Sequence, residues 1–217
     1  RLAGAGFSIG GIGYTGFGGI YSNQLLDWWA YNPNTNSWTQ KANFQAGNRR
    51  GAVGFSIGNK GYVGTGFDAG FKNDFWEFDP IANLWTQKAN LGADGRNNAI
   101  GFSIGNKGYV GTGSIDGGLI NDFWEYDPAK NVWTPKKNFA GTPRDGAVGF
   151  SIYKKGYVGT GNDATAYKND FWEYDPATDA WIERASLTVN GIEKRLAYAT
   201  GFSIGSKGYL GTGYNLG

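Results

Sequence analysis

The chain has 217 residues, of which 40% are hydrophobic and 17% aromatic, so it can bury a substantial core. Its 20 basic and 18 acidic side chains leave a net charge of +2, which excludes the basic surface that extended contacts with nucleic acid require. No apolar run approaches the roughly 18 residues of a membrane span, and no secretory leader opens the sequence. We therefore expect neither a nucleic-acid partner nor a membrane span.

Two further features of the composition concern the origin of the chain. The absence of cysteine fits a reducing cytosol, and it fits an exported bacterial protein without disulfides equally well. Because position 1 is Arg1 and methionine is absent, we expect a processed or excised segment of a longer protein.

Nearly the same sequence recurs along the chain at an almost constant interval. A Phe-Ser-Ile element recurs in steps of 48, 47, 48 and 52 residues, beginning at Phe7, Phe55, Phe102, Phe150 and Phe202. Self-similarity in this range is typical of repeat architectures. We therefore expect a single array over residues 1–217, with units at about 1–42, 49–89, 96–137 and 144–185 and a partial unit at 195–217.

The first half of each unit predicts two strands. In residues 52–57 large apolar side chains alternate with Ala, Gly and Ser, the period of two residues that a strand with one apolar face shows. Gly58-Asn59-Lys60-Gly61 predicts a two-residue turn, Asn59-Lys60, flanked by glycines, in which the asparagine takes a positive φ. The alternating glycines of residues 61–66 leave room in a second strand for a bulky neighbour, for which we expect the tryptophan of an adjacent sheet.

The second half of each unit predicts two more strands. Residues 74–79 carry bulky side chains on both faces, as expected for a third strand that is covered on two sides. Asp79-Pro80 predicts a turn in which Asn83 takes the left-handed conformation, and residues 84–87 then return as a fourth strand. Four short antiparallel strands per unit, with no helical period, favour the blade of a β-propeller over a solenoid.

The unit resembles the kelch repeat. In that family a pair of glycines ends the second strand, and a tryptophan follows the tyrosine of the third turn by seven residues. This chain keeps the interval from Tyr31 to Trp38, from Tyr126 to Trp133 and from Tyr174 to Trp181, with Phe78 in place of the tyrosine before Trp85. The glycine pair departs from the family pattern by reading Gly-Thr-Gly. This variant is similar to the arrays of bacterial exported and cell-surface proteins, which implies an extracellular or cell-surface location.

The expected fold class is thus an all-β, kelch-type propeller of four-stranded antiparallel blades, with four full blades and half of a fifth. Propellers have about 4 to 8 blades, and the resemblance implies the upper part of that range. We therefore expect residues 1–217 to form an arc of a larger ring that further chain or another subunit completes. The alternative is a small ring with a two-stranded last blade.

The variable loops indicate where a ligand binds. In such a blade the 1–2 and 3–4 turns lie on one face, and the 2–3 loops and inter-blade linkers lie on the other, which we call the loop face. The turns are near copies of one another, whereas the 2–3 loops differ, at 17–26, 67–73, 114–121 and 162–169. Because function usually resides on variable loops of a rigid scaffold, we predict a binding surface on the loop face.

Recurrent arginines are the first candidates for that surface. Each precedes a Phe-Ser-Ile element by six or seven residues, and the set is Arg1, Arg49, Arg96, Arg144 and Arg195. One interpretation is a ring of guanidinium groups at the channel mouth that holds a carboxylate, a phosphate or an acidic peptide. The other is structural pairing with the aspartates that begin the third strands, Asp27, Asp74, Asp122 and Asp170. Recurrence in every blade favours the pairing.

Loop aromatics are the second candidates: Phe17, Tyr21, Phe67, Phe71, Tyr167 and Tyr214. Such rings stack on sugars and peptides, but a loop aromatic also packs under its own loop. The blade tryptophans recur in register, so we predict that they lie in the core between blades, at Trp38, Trp85, Trp133 and Trp181.

The chain lacks histidine and cysteine, which excludes Ser-His and Cys-His pairs, imidazole acid–base chemistry and zinc sites. It also excludes the copper-radical chemistry of oxidases that share the kelch fold. We expect no metal and no cofactor, since loop acids such as Asp163 suit turn capping better than calcium. The regularly placed glutamates are interpreted as structural, at Glu77, Glu125 and Glu173. A resemblance to sialic-acid mutarotase implies Glu and Arg at the channel mouth, where Glu193 beside Arg195 is the candidate.

We therefore expect a non-catalytic interaction module of an exported or cell-surface protein that binds a protein or a glycan through the loop face. The alternatives are a mutarotase-like, carbohydrate-active enzyme at the channel mouth and a domain that serves only as a spacer.

Overall fold

The computed structural model describes residues 2–20 and 23–215, except the side chains of Ile20, Asn23 and Gln24. All regular structure in these residues is β-strand, as predicted. Four antiparallel four-stranded sheets follow one another along the chain, and in each sheet the strands pair in chain order. These sheets are the four predicted blades.

Each blade strand is five residues long. The first blade consists of Ala5–Ile9, Ile12–Gly16, Trp28–Asn32 and Ser37–Lys41, and the second of Val53–Ile57, Lys60–Gly64, Phe75–Asp79 and Leu84–Lys88. The third blade consists of Ile100–Ile104, Lys107–Gly111, Phe123–Asp127 and Val132–Lys136, and the fourth of Val148–Ile152, Lys155–Gly159, Phe171–Asp175 and Ala180–Arg184. Thr200–Ile204 and Lys207–Gly211 form a two-stranded unit that we call the fifth hairpin.

Among the described residues, three small hairpins lie outside the blades. Two of them belong to 2–3 loops, pairing Gly19–Ile20 with Asn23–Gln24 and Ser114–Ile115 with Gly118–Leu119. The third pairs Thr188–Val189 with Ile192–Glu193 inside the linker before the fifth hairpin. This hairpin accommodates the extra length of that linker.

A search of the described residues for a helix long and apolar enough to cross a membrane finds none.

The turn between the first and second strands shows how local sequence sets the register. Strands Val53–Ile57 and Lys60–Gly64 pair antiparallel and leave a loop of the predicted two residues, but the loop is Gly58-Asn59, one residue earlier than the predicted Asn59-Lys60. Gly58 rather than Asn59 has the positive φ, at 58°. Tyr153 holds the same place in the fourth blade with φ 54°. The left-handed conformation is therefore required at the first loop position, where glycine adopts it without strain.

The glycines of the second strands make room for phenylalanine from the preceding blade. A Cβ on Gly61 would lie 1.9 Å from the ring of Phe7, and one on Gly108 would lie 2.5 Å from the ring of Phe55. The later interfaces repeat the contact, with Gly156 against Phe102 and Gly208 against Phe150. The expectation that a tryptophan fills this space is wrong. The phenylalanine of each Phe-Ser-Ile element fills it, so any side chain at these glycines would separate the blades.

The core lies between blades. Each of three buried clusters combines side chains of two adjacent blades, and the first joins Tyr14, Phe17 and Trp28 of the first blade to Phe78 and Trp85 of the second. The rings of Trp28 and Trp85 meet edge to face at 5.4 Å. Because the apolar surface of one blade is buried only by its neighbour, the blades stabilise one another in series.

The blade tryptophans also bond to the linker behind them. Trp85 is 3% exposed, and its Nε1 donates a hydrogen bond to the carbonyl of Ala42 at 3.0 Å. The Oδ1 of Asn83, which has the predicted positive φ of 53°, accepts a hydrogen bond from the Ala42 N–H. Equivalent bonds run from Trp133 to Ala89 and from Trp181 to Lys137.

Trp38 differs from the other three. It is 57% exposed, because no described blade precedes the first one and the indole has no linker to contact. The prediction that all four tryptophans lie in the core is therefore wrong for Trp38.

The innermost strands of successive blades pack against one another, from Ala5–Ile9 to Thr200–Ile204. This succession around a common axis is that of a β-propeller. Among the described residues, Ala5–Ile9 makes no contact with the fifth hairpin, so these blades form an open arc. That the arc belongs to a larger ring stays a prediction.

Trp85→Ala should lower the free energy of unfolding by about 3–5 kcal/mol, because it removes a buried indole that bonds across the blade interface. Trp38→Ala is the matched control at the same repeat position, and because its indole is exposed the change should stay within about 0.5 kcal/mol. Urea denaturation of both variants measures the difference. Equal losses would contradict this account of the blade interface.

Candidate functional site

Buried arginine–aspartate pairs fix the loop face in three blades. Arg49 is 0% exposed, and its Nη1 and Nη2 donate to the two carboxylate oxygens of Asp74 at 2.7 Å each. Nη1 also donates to the carbonyl of Thr65 at 3.1 Å. The same pair is formed by Arg96 with Asp122 and by Arg144 with Asp170. Two parallel bonds to one carboxylate are the strongest geometry available to a guanidinium.

The carboxylate of Asp170 is held in its ionised form. Burial acts to raise its pKa, but the hydrogen bonds from Arg144 and from the Nε1 of Trp172 outweigh burial and lower the pKa below its ordinary value. Trp124 and Trp76 donate in the same way to Asp122 and Asp74. Each aspartate thus joins a linker arginine to its own third strand.

Three of the predicted site arginines pair with aspartates in the structure, as the second interpretation of the sequence proposed. The side chains of Arg49 and Arg96 are 0% exposed and that of Arg144 is 1% exposed, so none presents a guanidinium to solvent. Phenylalanine rings cover two of them, with Phe44 at 4.8 Å from Arg49 and Phe139 at 4.9 Å from Arg144. Arg1 lies outside the described residues.

Arg195 does not share the place of the other arginines. The carbonyl of Arg144 accepts a hydrogen bond from the N–H of Gly113, and in the next repeat the carbonyl that accepts from Gly161 belongs to Leu196. Arg195 lies one residue earlier, is exposed, and contacts Glu193 at 3.3 Å. The expectation of an arginine at the start of this innermost strand is therefore wrong, since Leu196 has that position.

Two of the predicted loop aromatics lie away from solvent or outside the described residues. Phe17 is 0% exposed and stacks on Trp28 at 4.9 Å. It is part of the core of the first blade, so its ring has no surface for a ligand. Tyr21 lies outside the described residues.

The remaining predicted aromatics are partly accessible. Phe67 and Phe71 pack edge to face at 5.2 Å within their own 2–3 loop, and the guanidinium of Arg50 lies 5.1 Å from the ring of Phe67. Tyr167 is half-buried and Tyr214 is 61% exposed. Their part in binding stays a prediction.

The starts of all five innermost strands line one depression on the loop face, which we call the axial depression. Its volume is about 720 Å³. Much of its lining consists of small residues, and the larger polar and aromatic side chains are Arg50, Asn97, Asn98, Tyr198 and Tyr214. These side chains differ from blade to blade, unlike the strands that carry them.

A chain of backbone hydrogen bonds runs around the axial depression. Gly51 donates to the carbonyl of Ala3, and Asn98, Gly146 and Tyr198 each donate to the residue before them in this series, at 2.8 to 3.0 Å. All five residues have positive φ, between 51° and 63°. This conformation is uncommon for tyrosine, and strained backbone of this kind clusters at functional sites.

A buried carboxylate holds the ring of Tyr198 over the backbone of Gly146. Its hydroxyl donates to Oδ2 of Asp145 at 3.0 Å, and the Nδ2 of Asn98 donates to the same oxygen at 3.4 Å. A Cβ on Gly146 would lie 2.7 Å from the tyrosine ring, so one face of that ring covers the Gly146 backbone. Because Tyr198 is 41% exposed and lines the axial depression, its ring also offers surface to a ligand.

The electrostatics of this cluster keep Tyr198 a hydrogen-bond donor. Asp145 is 6% exposed, and no ion pair joins it to a basic side chain in the described part of the protein. Burial raises the pKa of Asp145. Burial and the neighbouring Asp145 carboxylate raise the pKa of Tyr198 to about 12.

Sequence reasoning missed Asp145 and Tyr198, although the repeat carries a signal. The two positions at the start of each innermost strand vary among otherwise similar copies, reading Arg50-Gly51, Asn97-Asn98, Asp145-Gly146 and Ala197-Tyr198. An alignment of the repeats that searched for variable positions, rather than for recurrent charges, would have identified Asp145 and Tyr198.

The other candidate carboxylates have structural roles. Glu77 accepts a hydrogen bond from the hydroxyl of Tyr62 at 2.6 Å, and the bonds from Tyr109 to Glu125 and from Tyr157 to Glu173 repeat it. The Oδ1 of Asp163 accepts from the N–H groups of Thr165 and Ala166, as turn capping predicts. Neither Glu193 nor Arg195 lines the axial depression.

Comparison with known proteins supports the fold. No model of a protein family matches the chain, and no curated protein sequence matches it. Many solved structures match, and one is described as the structure of YjhT. It superposes with a TM-score of 0.77 and 18% sequence identity, over 93% of this chain and 69% of that chain. At this identity the likeness shows a shared propeller fold and nothing about activity.

Asp170→Asn should lower the free energy of unfolding at pH 7 by about 3–5 kcal/mol, because it leaves the buried guanidinium of Arg144 without its counter-charge. The folded-state pKa of Asp170 is lowered, so this stabilisation is present above the unfolded pKa of about 3.9 and is lost as the pH falls through the folded value. The difference between variant and wild type should therefore shrink below about pH 4. Urea denaturation from pH 2 to 7 measures it.

Asp116→Asn is the matched control for this experiment, because Asp116 is exposed in a 2–3 loop. It should leave stability within about 0.5 kcal/mol of wild type at every pH. If Asp170→Asn is as stable as wild type at pH 7, the pair between Arg144 and Asp170 does not stabilise the fold.

Proposed function

We propose that this chain is a non-catalytic, kelch-type binding module of an exported or cell-surface protein, and that it binds a glycan in the axial depression. The observation that carries the proposal is Tyr198. Its ring is held by Gly146 on one side and by the Asp145 carboxylate at its hydroxyl, and it lines the depression where the five innermost strands start.

A sugar ring matches the chemistry of this surface. Pyranoses present a C–H face that packs on aromatic rings, and hydroxyl groups that both donate and accept hydrogen bonds. The rings of Tyr198 and Tyr214 are 6.0 Å apart and nearly perpendicular, at 84°, so together they form an aromatic corner. A ligand in this corner has apolar contact on two sides.

Polar groups around the corner suit hydroxyl recognition. Arg50 and the amides of Asn97 and Asn98 line the same depression, and they supply both donors and acceptors. Within the described residues the Oδ1 of Asn97 has no hydrogen-bond partner, although it is buried. The volume of about 720 Å³ lies inside the range of roughly 300–1,000 Å³ that small-molecule sites occupy. A mono- or disaccharide terminus fits these features.

Binding is favoured over catalysis by the position of the acidic groups. The enzyme alternative depends on Glu193 beside Arg195, but both are exposed in the linker and neither lines the axial depression. Asp145, the carboxylate next to the depression, is engaged by Tyr198 and Asn98. The proposal of export rests on the kelch resemblance.

A glycan array followed by calorimetry tests this function. We expect saturable binding of at least one class of glycan, and Tyr198→Ala should weaken it by about tenfold or more, since the stacking surface is lost. Tyr198→Phe keeps the ring and should retain most of the affinity.

Tyr153→Ala is the control, because Tyr153 is 78% exposed in a 1–2 turn on the opposite face and its loss should not change binding. Absence of glycan binding, or equal affinity of Tyr198→Ala and wild type, would refute the proposal.

A further inference from the structure

Asn97 lies at the start of the third blade, and it lines the axial depression. Its backbone N–H and carbonyl each bond to Ser114 at 3.0 Å, so the residue is held in place. Its side-chain amide forms no hydrogen bond with the described residues, although the Oδ1 is buried. A buried acceptor without a donor lowers the stability of a fold, so the fold itself gives no reason for an asparagine here.

The fourth blade shows which partners this amide lacks. Asp145 has the equivalent position there, and its Oδ2 accepts hydrogen bonds from the Nδ2 of Asn98 at 3.4 Å and from the hydroxyl of Tyr198 at 3.0 Å. Those donors come from the backbone series around the axial depression, one from the preceding blade and one from the following blade. For Asn97 the corresponding residues are both glycines, Gly51 and Gly146. Neither has a side chain that could donate to the amide.

Packing requires glycine at both places. Gly51 has φ 63°, and a Cβ on it would lie 2.6 Å from the Oδ1 of Asn98 and 3.3 Å from the Cβ of Asn97. Gly146 has φ 60°, and a Cβ on it would lie 2.7 Å from the ring of Tyr198. A larger residue at either place would be strained and would displace a neighbour. The donor for Asn97 therefore comes from outside the chain, through the depression that the residue lines.

The chemistry of the amide defines the group that it binds. An ammonium only donates hydrogen bonds and a carboxylate only accepts them, so each would leave one atom of the amide without a partner. Two neighbouring hydroxyl groups satisfy both atoms, because one donates to the Oδ1 and the other accepts from the Nδ2. Since neither atom of Asn97 is engaged, the amide can turn about χ2 toward the depression without breaking a hydrogen bond.

We infer that Asn97 selects the ligand of the axial depression by binding two neighbouring hydroxyl groups of an uncharged pyranose. This inference rests on the glycan-binding function proposed above and names the class of sugar. Gly146 connects the two parts of the site, since its N–H is bonded to the carbonyl of Asn98 and its backbone lies under the ring of Tyr198. A sugar that packs on Tyr198 therefore extends across glycine to the amide of Asn97.

An acidic sugar bound by Arg50 is the competing choice. The side chain of Arg50 is exposed, and its guanidinium lies 5.1 Å from the ring of Phe67 in the 2–3 loop of the second blade. Water already solvates an exposed guanidinium, so an ion pair formed there gains little. A partner for the buried amide oxygen of Asn97 gains more, because that atom has no hydrogen bond to lose.

Calorimetry with sugars that lack single hydroxyl groups tests the inference. The probes are the methyl glycosides of glucose, galactose and mannose with their monodeoxy derivatives, titrated into the full chain. For the glycoside that binds most tightly, loss of either of two adjacent hydroxyl groups should weaken binding about tenfold. Asn97→Leu should weaken binding of the parent glycoside by at least about tenfold, and the same two deoxy derivatives should then bind no more weakly than the parent does. Such non-additivity identifies the hydroxyl groups that Asn97 binds.

A second readout does not depend on any sugar. Asn97→Leu removes a buried acceptor without a donor, so it should raise the thermal midpoint of the unliganded chain by about 2–4 °C. Asn121→Leu is the matched control, because the Nδ2 of Asn121 donates to the carbonyl of Phe139 at 3.1 Å. Its midpoint should fall by a similar amount, and its affinity for the glycoside should equal that of wild type, since Asn121 lies outside the axial depression.

The inference is overturned, and the proposed function stands, if wild type binds a glycoside that Asn97→Leu binds equally well. It is also overturned if the deoxy derivatives lose the same affinity in both proteins, or if Asn97→Leu lowers the thermal midpoint, which would show that solvent satisfies the amide. Tighter binding of methyl glucuronide than of methyl glucoside, unchanged in Asn97→Leu, would assign the selection to Arg50. If wild type binds neither these glycosides nor any glycan of the array, the proposed function fails together with the inference.

Discussion

The bidentate pair between a linker arginine and the aspartate that opens a third strand is the contact that the loop face depends on. In the second blade Arg49 joins Asp74 to the Thr65 carbonyl, so one buried guanidinium holds a linker, a third strand and the end of a second strand together. Because a buried guanidinium without its carboxylate partner is strongly unfavourable, the linker and the two strands are held in one arrangement. The residue that follows each arginine is thereby placed at or next to the axial depression, where Arg50 and Asn97 line it and Asp145 is buried beside it.

This division explains why the repeat is regular in its strands and irregular at its axis. The residues that fill space between blades, such as Phe7 against Gly61, tolerate no change because each one fits a neighbour's backbone. At the two places after the arginine the copies diverge, and Arg50 and Asn97 line the depression, whereas Asp145 is buried next to it. A site formed by residues that differ among the repeats lies on one side of the axis. A site formed by the repeated arginines would be the same in every blade.

Much of the fold was predictable from sequence, because strand period, turn residues and repeat length are local signals. The blades, their two-residue first turns and the left-handed Asn83 all followed from such signals. Contacts between blades were not predictable in the same way, since the neighbour of Gly61 is set by the angle between sheets. The position of Arg195 was misjudged because the linker hairpin at 188–193 changes the spacing, so that Leu196 and not the arginine begins the last repeat.

The axial depression and the fifth hairpin are physically connected. Tyr214 follows the second strand of that hairpin closely and exchanges two backbone hydrogen bonds with Ala197, at 2.8 and 3.1 Å. Its ring is 6.0 Å from that of Tyr198, the residue after Ala197. Because the backbone bonds between Ala197 and Tyr214 hold the two tyrosines in place, the aromatic corner is preorganised, and a preorganised surface lowers the entropy lost when a ligand binds.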